Sequence, residues 1–130
     1  MLHITGLFTG IFALLIIFLA YKVVVFRRTK KVGIGDNGDV IGQCVIRTHA
    51  NAVEYIPMMI LLMAAYELNG GSGMVLYIIG GLSVLARVMH ASGLSKSAGV
   101  TTGRFYGTVL TWLIIVTLAV LNILKFVMSL

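Results

Sequence analysis

Long apolar stretches alternate with short polar segments along the chain. The apolar stretches cover about residues 4–26, 40–68, 74–93 and 104–128, and the first contains one charge, Lys22. Each reaches the roughly 20 residues that a helix needs to cross a bilayer. None shows the strict alternation of apolar and polar positions that is typical of strands in a membrane barrel. The pattern predicts an all-α membrane protein, with four transmembrane helices in a single domain over residues 1–130.

The connections between the stretches predict the topology. The first connection begins RRTKK at Arg27 and ends in turn-forming residues, the second reads NGGSG, and the third contains Lys96. Connections this short favour an up-down bundle. The positive-inside rule places the first and third connections in the cytoplasm and both termini on the opposite side, which in a bacterial inner membrane is the periplasm. A secretory signal is the alternative for the first stretch, but the stretch is long for one and no basic segment precedes it.

The composition agrees with a membrane protein and excludes several other classes. Hydrophobic residues make up 59% of the chain and charged residues 11%, against roughly 25% charged residues in soluble domains. This balance excludes a soluble globular protein, a disordered chain and a nucleic-acid-binding domain, because most basic residues lie between the apolar stretches. The single Cys44 excludes an internal disulfide and a cysteine-based metal site.

A polar stripe interrupts the second stretch. Arg47, Asn51, Glu54 and Tyr55 have the spacing of one helix face. An Arg and a Glu at membrane depth each cost roughly 2.5–3.5 kcal/mol, so they must pair or bind something. One interpretation is an internal ion pair; the other, favoured by the extra amide of Asn51, is a polar ligand site. Because one four-helix bundle has little interior, we also expect a homo-oligomer with the stripe near a subunit boundary.

Two further helices offer candidate residues. Arg87 and His90 share a face of the third helix, where Arg87 has two open roles: contact with a ligand or pairing with Glu54. Arg104 opens the fourth helix, either as an anchor at the membrane boundary or as part of a site. Cys44 lies off the centre of the stripe and is interpreted as a packing residue.

The candidate residues suggest a ligand chemistry. Arginine binds carboxylates through a planar fork, and a glutamate suits an ammonium group. Glutathione has both groups and a thiol that a nearby cation would stabilise as the thiolate. The residues suggest a small zwitterion of this kind without singling it out.

The segment RTHANAVEYIP, from Arg47 to Pro57, resembles the signature of the membrane-associated proteins in eicosanoid and glutathione metabolism, the MAPEG family. The resemblance covers nearly the whole chain, and HANAVEYIP is similar to the segment in the small bacterial, YecN-like branch. It implies a homotrimer that binds glutathione between adjacent subunits. The implied activity is that of a glutathione transferase or peroxidase acting on lipophilic electrophiles that arrive through the bilayer.

The resemblance also implies roles for residues. Arg104 would stabilise the thiolate, and a basic residue at the end of the first helix, Arg27 or Arg28, would contribute to the site. Leu94 departs from the family, where many members have a Tyr at this place. The residues implied to hold glutathione are Arg47, Asn51, Glu54, Tyr55, Arg87 and His90.

Two other functions compete with a glutathione-dependent enzyme. A non-catalytic membrane protein that binds lipophilic ligands or serves as a scaffold is slightly favoured by Leu94. A small four-helix multidrug exporter is disfavoured, because such exporters depend on a membrane-embedded Glu in the first helix and the first stretch here has no acidic residue.

Overall fold

The computed structural model describes residues 1–130 and is all-helical, as the sequence predicts. Its four helices are α1 (His3–Lys30), α2 (Val40–Leu68), α3 (Gly73–Leu94) and α4 (Thr102–Val127). Helix α1 continues about one turn beyond residue 26, through most of the basic run. It ends at Lys30, and the next residue, Lys31, has a left-handed backbone with φ of 55°.

Three of the four helices, α1, α3 and α4, are long and apolar enough to cross a membrane. Helix α2 is equally long but contains the polar stripe, which lowers its apolar character. Only 27 of the 130 residues are buried, and large apolar side chains such as Leu14, Ile78 and Val116 are exposed along the bundle. Such a broad apolar surface suits contact with lipid rather than water.

Helix α2 is central to the packing. It contacts all three other helices, α3 packs closely against α4, and α1 and α4 do not contact each other. Aliphatic and aromatic side chains from every helix fill the core. Its largest fully buried apolar side chains are Phe12, Ile56, Met59, Met63, Leu76 and Leu118.

Polar contacts at the helix ends fix the direction of consecutive helices. Asp39 caps α2 by accepting from the backbone N–H of Ile41 at 2.8 Å, and Lys30 at the end of α1 forms a 2.9 Å ion pair with the same carboxylate. The Lys30 ammonium holds the pKa of Asp39 below its usual value. At the opposite end of the bundle, Glu67 accepts from the N–H groups of Ile4 and Thr5 at 3.0 and 2.8 Å. Helices α1 and α2 therefore run in opposite directions, as an up-down bundle requires.

Candidate functional site

A cavity of about 190 Å³ opens where the start of α2, the end of α3 and the start of α4 meet. This is the end of the bundle that contains the first and third connections. Four residues predicted from the sequence line the cavity: Arg47, Asn51, His90 and Arg104. The remaining lining residues are Gln43, Cys44, Leu94 and Ala98.

Arg87 lies directly behind the cavity wall and is 1% exposed. Its Nη2 donates a 2.6 Å hydrogen bond to Oδ1 of Asn51 and lies 3.5 Å from Nδ1 of His90. Of the two roles left open by the sequence, pairing with Glu54 is not the contact observed, since Glu54 bonds to Arg47 instead. Arg87 thus fixes the orientation of two lining side chains, and it places a buried positive charge beside the cavity.

The aromatic ring of Tyr55 lies on another side of the Arg87 guanidinium. The Arg87 Cζ is 5.6 Å from the ring centroid, a distance compatible with a cation–π interaction. The Tyr55 hydroxyl accepts a 3.1 Å hydrogen bond from Nε1 of Trp112 on α4. Tyr55 itself does not line the cavity; it supports Arg87, and Trp112 in turn supports Tyr55.

Arg104 lies in the first turn of α4 and is held by the third connection. The Thr101 hydroxyl accepts from the backbone N–H of Arg104 at 3.3 Å, which caps the helix. The guanidinium Nη1 donates to the carbonyl oxygens of Ala98 and Gly99 at 3.2 and 3.4 Å. The charge is therefore held at the edge of the cavity by backbone oxygens, and no carboxylate neutralises it.

Glycines allow α3 and α4 to approach closely enough to share the cavity. A Cβ on Gly107 would lie 2.6 Å from the backbone nitrogen of His90, and one on Gly103 would lie 2.9 Å from the carbonyl oxygen of Met89. Side chains at either position would force the helices apart and separate His90 from Arg104. This contact was not predicted from the sequence, although the glycines of GRFYG, four residues apart, are the signal that would have indicated it.

Arg47 and Glu54 form the ion pair that the stripe predicts, with 3.2 Å between Arg47 Nη1 and Glu54 Oε1. Their side chains are 58% and 50% exposed. Arg47 reaches the cavity, but Glu54 does not line it. Seven residues of helix separate the two, so Glu54 lies roughly 10 Å farther along the axis.

The remaining lining side chains complete the chemical character of the cavity. Cys44, interpreted from the sequence as a packing residue, is 5% exposed, and it also borders the cavity. Leu94 provides an apolar patch there. Neither Arg27 nor Arg28 lines it. The lining contains two arginines and no carboxylate, and with Arg87 behind the wall it suits a ligand that has negative charge.

Comparison with known proteins defines the class of this membrane protein. The model of the MAPEG family matches residues 5–124, and the chain belongs to that family. It is 38% identical over 90 residues to the "Inner membrane protein YecN" of Escherichia coli strain K12, a match that covers 69% of each chain. The protein of the same name from E. coli O6:H1 matches with the same identity and coverage. These findings confirm the resemblance carried by RTHANAVEYIP.

Proposed function

We propose that the protein is a glutathione-dependent membrane enzyme, of the transferase or peroxidase type, that acts on lipophilic electrophiles. The observation that carries the proposal is the arrangement of Arg47 and Arg104 around one cavity with no carboxylate in its lining. A tripeptide with two carboxylates and a thiolate has the opposite charge. The family of the chain supports the choice of glutathione over other small acids.

The residues have separable roles in this proposal. Arg47 and Asn51 bind and orient the tripeptide, and His90 completes the ligand-holding set at the cavity wall. Arg87 holds Asn51, while Glu54 and Tyr55 contribute from outside the cavity by contacting Arg47 and Arg87. Arg104 stabilises the thiolate after the thiol proton leaves to water. In the transferase reaction the sulfur then forms a bond to the electrophilic carbon, and the leaving group departs with its electron pair. No metal is needed for this step, because orientation and a fixed positive charge supply the catalysis.

The proposed assembly is a homotrimer. The Arg47–Glu54 pair is about half exposed in a single chain, and two charged side chains facing lipid would be costly. A neighbouring subunit that covers this face of α2 removes the cost and closes the open side of the cavity. We further propose that the trimer lies in the inner membrane, like the named relatives, with both termini in the periplasm.

Two measurements test the assembly and its orientation. The mass of the complex in mild detergent should correspond to three subunits, and a mass of one or two subunits would contradict the trimer. A cysteine placed at Ser72, in a Cys44→Ser background, should be labelled by a membrane-impermeant reagent from the periplasmic side. Labelling from the cytoplasm alone would contradict the orientation.

Glutathione binding and conjugation test the activity directly. Purified protein is titrated with glutathione by calorimetry and then assayed with a generic aromatic electrophile in detergent and in liposomes. We expect saturable binding and a conjugation rate above the uncatalysed reaction. If the wild-type protein does not bind glutathione, both the substrate and the enzyme proposal are wrong.

One observation favours a second candidate, a non-catalytic protein that binds lipophilic or thiol ligands. Leu94 lines the cavity at the place where many members of the family have a Tyr, so a hydroxyl that could act on the thiol is missing. In that case glutathione would bind without forming a thiolate. The ultraviolet absorbance of the bound thiolate separates the two: its appearance supports the enzyme, and its absence with intact binding supports the second candidate.

A further inference from the structure

A second cavity lies between α1 and α3 and shares no residue with the first. It is an apolar groove of about 210 Å³. Its walls are formed by Leu15, Phe18 and Leu19 from α1 and by Val88 and Ala91 from α3. At the end nearest the third connection, the same groove is bordered by Lys22 and Lys96. An apolar groove with two cations at one end is complementary to an amphipathic anion.

The two lysines have no partner of opposite charge in the protein. The only ion pairs join Lys30 to Asp39 and Arg47 to Glu54. The other two carboxylates are occupied elsewhere: Glu67 caps α1 at the opposite end of the bundle, and Asp36 accepts from Gly38 in the first connection. Lys22 instead lies with its Nζ 5.8 Å from the ring centroid of Phe18. The groove therefore has two positive charges, and no carboxylate faces them.

The position of Lys22 along α1 corresponds to the depth of lipid phosphates. The uncharged part of α1 from Ile4 to Tyr21 has a length of about 27 Å at 1.5 Å per residue. This is close to the roughly 30 Å hydrocarbon thickness of a bilayer. Lys22 follows directly, so its ammonium reaches the headgroup region by extending along the helix, as lysines near membrane boundaries do.

We propose that this groove binds an anionic phospholipid from the leaflet that faces the first and third connections. One acyl chain lies between α1 and α3 against Leu19 and Ala91, and the phosphate lies between Lys22 and Lys96. A free phosphate would gain nothing from the apolar walls, whereas a zwitterionic lipid has a cation that the lysines repel. The proposal stands independently of the glutathione site, since the two cavities have no residue in common.

Native mass spectrometry of the detergent-purified protein tests the proposal. The protein is titrated with phosphatidylglycerol and, separately, with phosphatidylcholine of the same acyl chains. Wild-type protein should retain phosphatidylglycerol preferentially. The double variant Lys22→Gln/Lys96→Gln should lose most of that preference, by about fivefold for each lysine removed. Lys31→Gln is the matched control, because it removes a cation at the same end of α1 outside the groove and should leave the preference nearly unchanged.

Each outcome supports or overturns the proposal. Equal retention of the two lipids by the wild type, or an unchanged preference in the double variant, overturns it. A loss of preference as large in Lys31→Gln as in the double variant shows a general charge effect and also overturns it. A second copy of the chain is the other possible occupant of the groove. Disulfide cross-linking between copies through Val88→Cys would show that occupant and would contradict a lipid there. Circular dichroism confirms that the variants remain folded.

Discussion

The two ends of the bundle differ in how they use polar side chains. At the end opposite the cavity, polar groups bond to backbone atoms of neighbouring elements: Glu67 caps α1, and Lys125 Nζ donates to the Gly70 carbonyl oxygen at 2.9 Å. At the cavity end Asp39 also caps a helix, but Arg47 and Arg104 border an open space, and Arg87 is buried against other side chains. The first arrangement connects helices, whereas the second leaves charge available for a ligand.

This difference distinguishes polar groups that stabilise the fold from polar groups that are available to a ligand. A polar group whose hydrogen bonds go to the backbone offsets its own cost of burial and needs no ligand. A cation that borders a cavity without a carboxylate partner, as Arg104 does, is costly in the empty state. Its presence is understandable if a ligand supplies the missing negative charge. Variants at the two ends should therefore change different measured quantities.

Arg104→Ala should have the largest effect on turnover. Losing one preorganised charge that stabilises the reacting anion typically lowers the rate by about 10²–10³. We expect glutathione affinity to change little, since Arg47 and Asn51 remain, while the thiolate absorbance of bound glutathione falls. Steady-state conjugation kinetics and the thiolate spectrum provide the measurement.

Arg47→Ala is the comparison variant at the same cavity. It should weaken glutathione binding while the rate at saturation is largely kept, so the two arginines differ in which kinetic constant changes. Unchanged turnover in Arg104→Ala would contradict the catalytic assignment.

A pair of asparagines allows a direct comparison of the two ends. Asn51→Ala removes the 2.6 Å hydrogen bond from the buried Arg87 and should destabilise the protein by roughly 1.5–3 kcal/mol, the usual range for bonds to charged groups. Asn122→Ala removes bonds to the carbonyl oxygens of Leu62 and Leu118 and should cost about 0.5–1.5 kcal/mol. Thermal unfolding in detergent measures both losses.

The asparagine pair differs most in ligand binding. Only Asn51→Ala should weaken glutathione binding, since Asn51 lines the cavity whereas Asn122 lies at the opposite end of the bundle. Equal weakening by Asn122→Ala would show that binding simply follows overall stability, and the distinction between the two ends would fail.

The helical period of the sequence predicts the angular position of the candidate residues but not their depth along the helix. The 3.6-residue period correctly placed Arg47, Asn51, Glu54 and Tyr55 on one stripe of α2. Period alone does not say which part of a stripe borders a cavity, and only Arg47 and Asn51 do so. That outcome depends on where α3 ends and α4 begins.

The contact between helices was the part that the sequence analysis could not supply. Backbone approach at Gly103 and Gly107 brings His90 and Arg104 to the same cavity. Likewise, the pairing of Trp112 with Tyr55 joins residues 57 positions apart in sequence. Residues this far apart meet through tertiary packing, which periodicity within one helix does not encode. The family resemblance suggested the candidate residues, and the structure provides the contacts among them.

Glu67→Ala should change stability without changing function. Its carboxylate accepts from two N–H groups at the start of α1, and loss of such a helix cap costs about 0.5–2 kcal/mol. We expect a lower unfolding temperature, with glutathione affinity and turnover per folded molecule unchanged. Glu67→Gln, which keeps one acceptor oxygen, should lie between the wild type and the alanine variant. A loss of glutathione binding in Glu67→Ala would contradict the view that this end of the bundle contributes to stability only.

Trp112→Phe should have the smallest effect. It tests how far from the cavity a residue still influences glutathione binding. The change removes the 3.1 Å hydrogen bond to the Tyr55 hydroxyl but keeps an aromatic side chain against α2. Since Trp112 is 55% exposed, we expect the lower part of the range for a neutral hydrogen bond, about twofold to fivefold in glutathione affinity. The affinity falls because Tyr55 is less firmly held under Arg87, which in turn positions Asn51.

In a Tyr55→Phe background the hydroxyl is already absent, so Trp112→Phe should then have no further effect. Calorimetric titration of the four proteins of this double-mutant cycle provides the coupling energy. Additive effects would show that Trp112 acts through general packing, and the site would then end at Arg87.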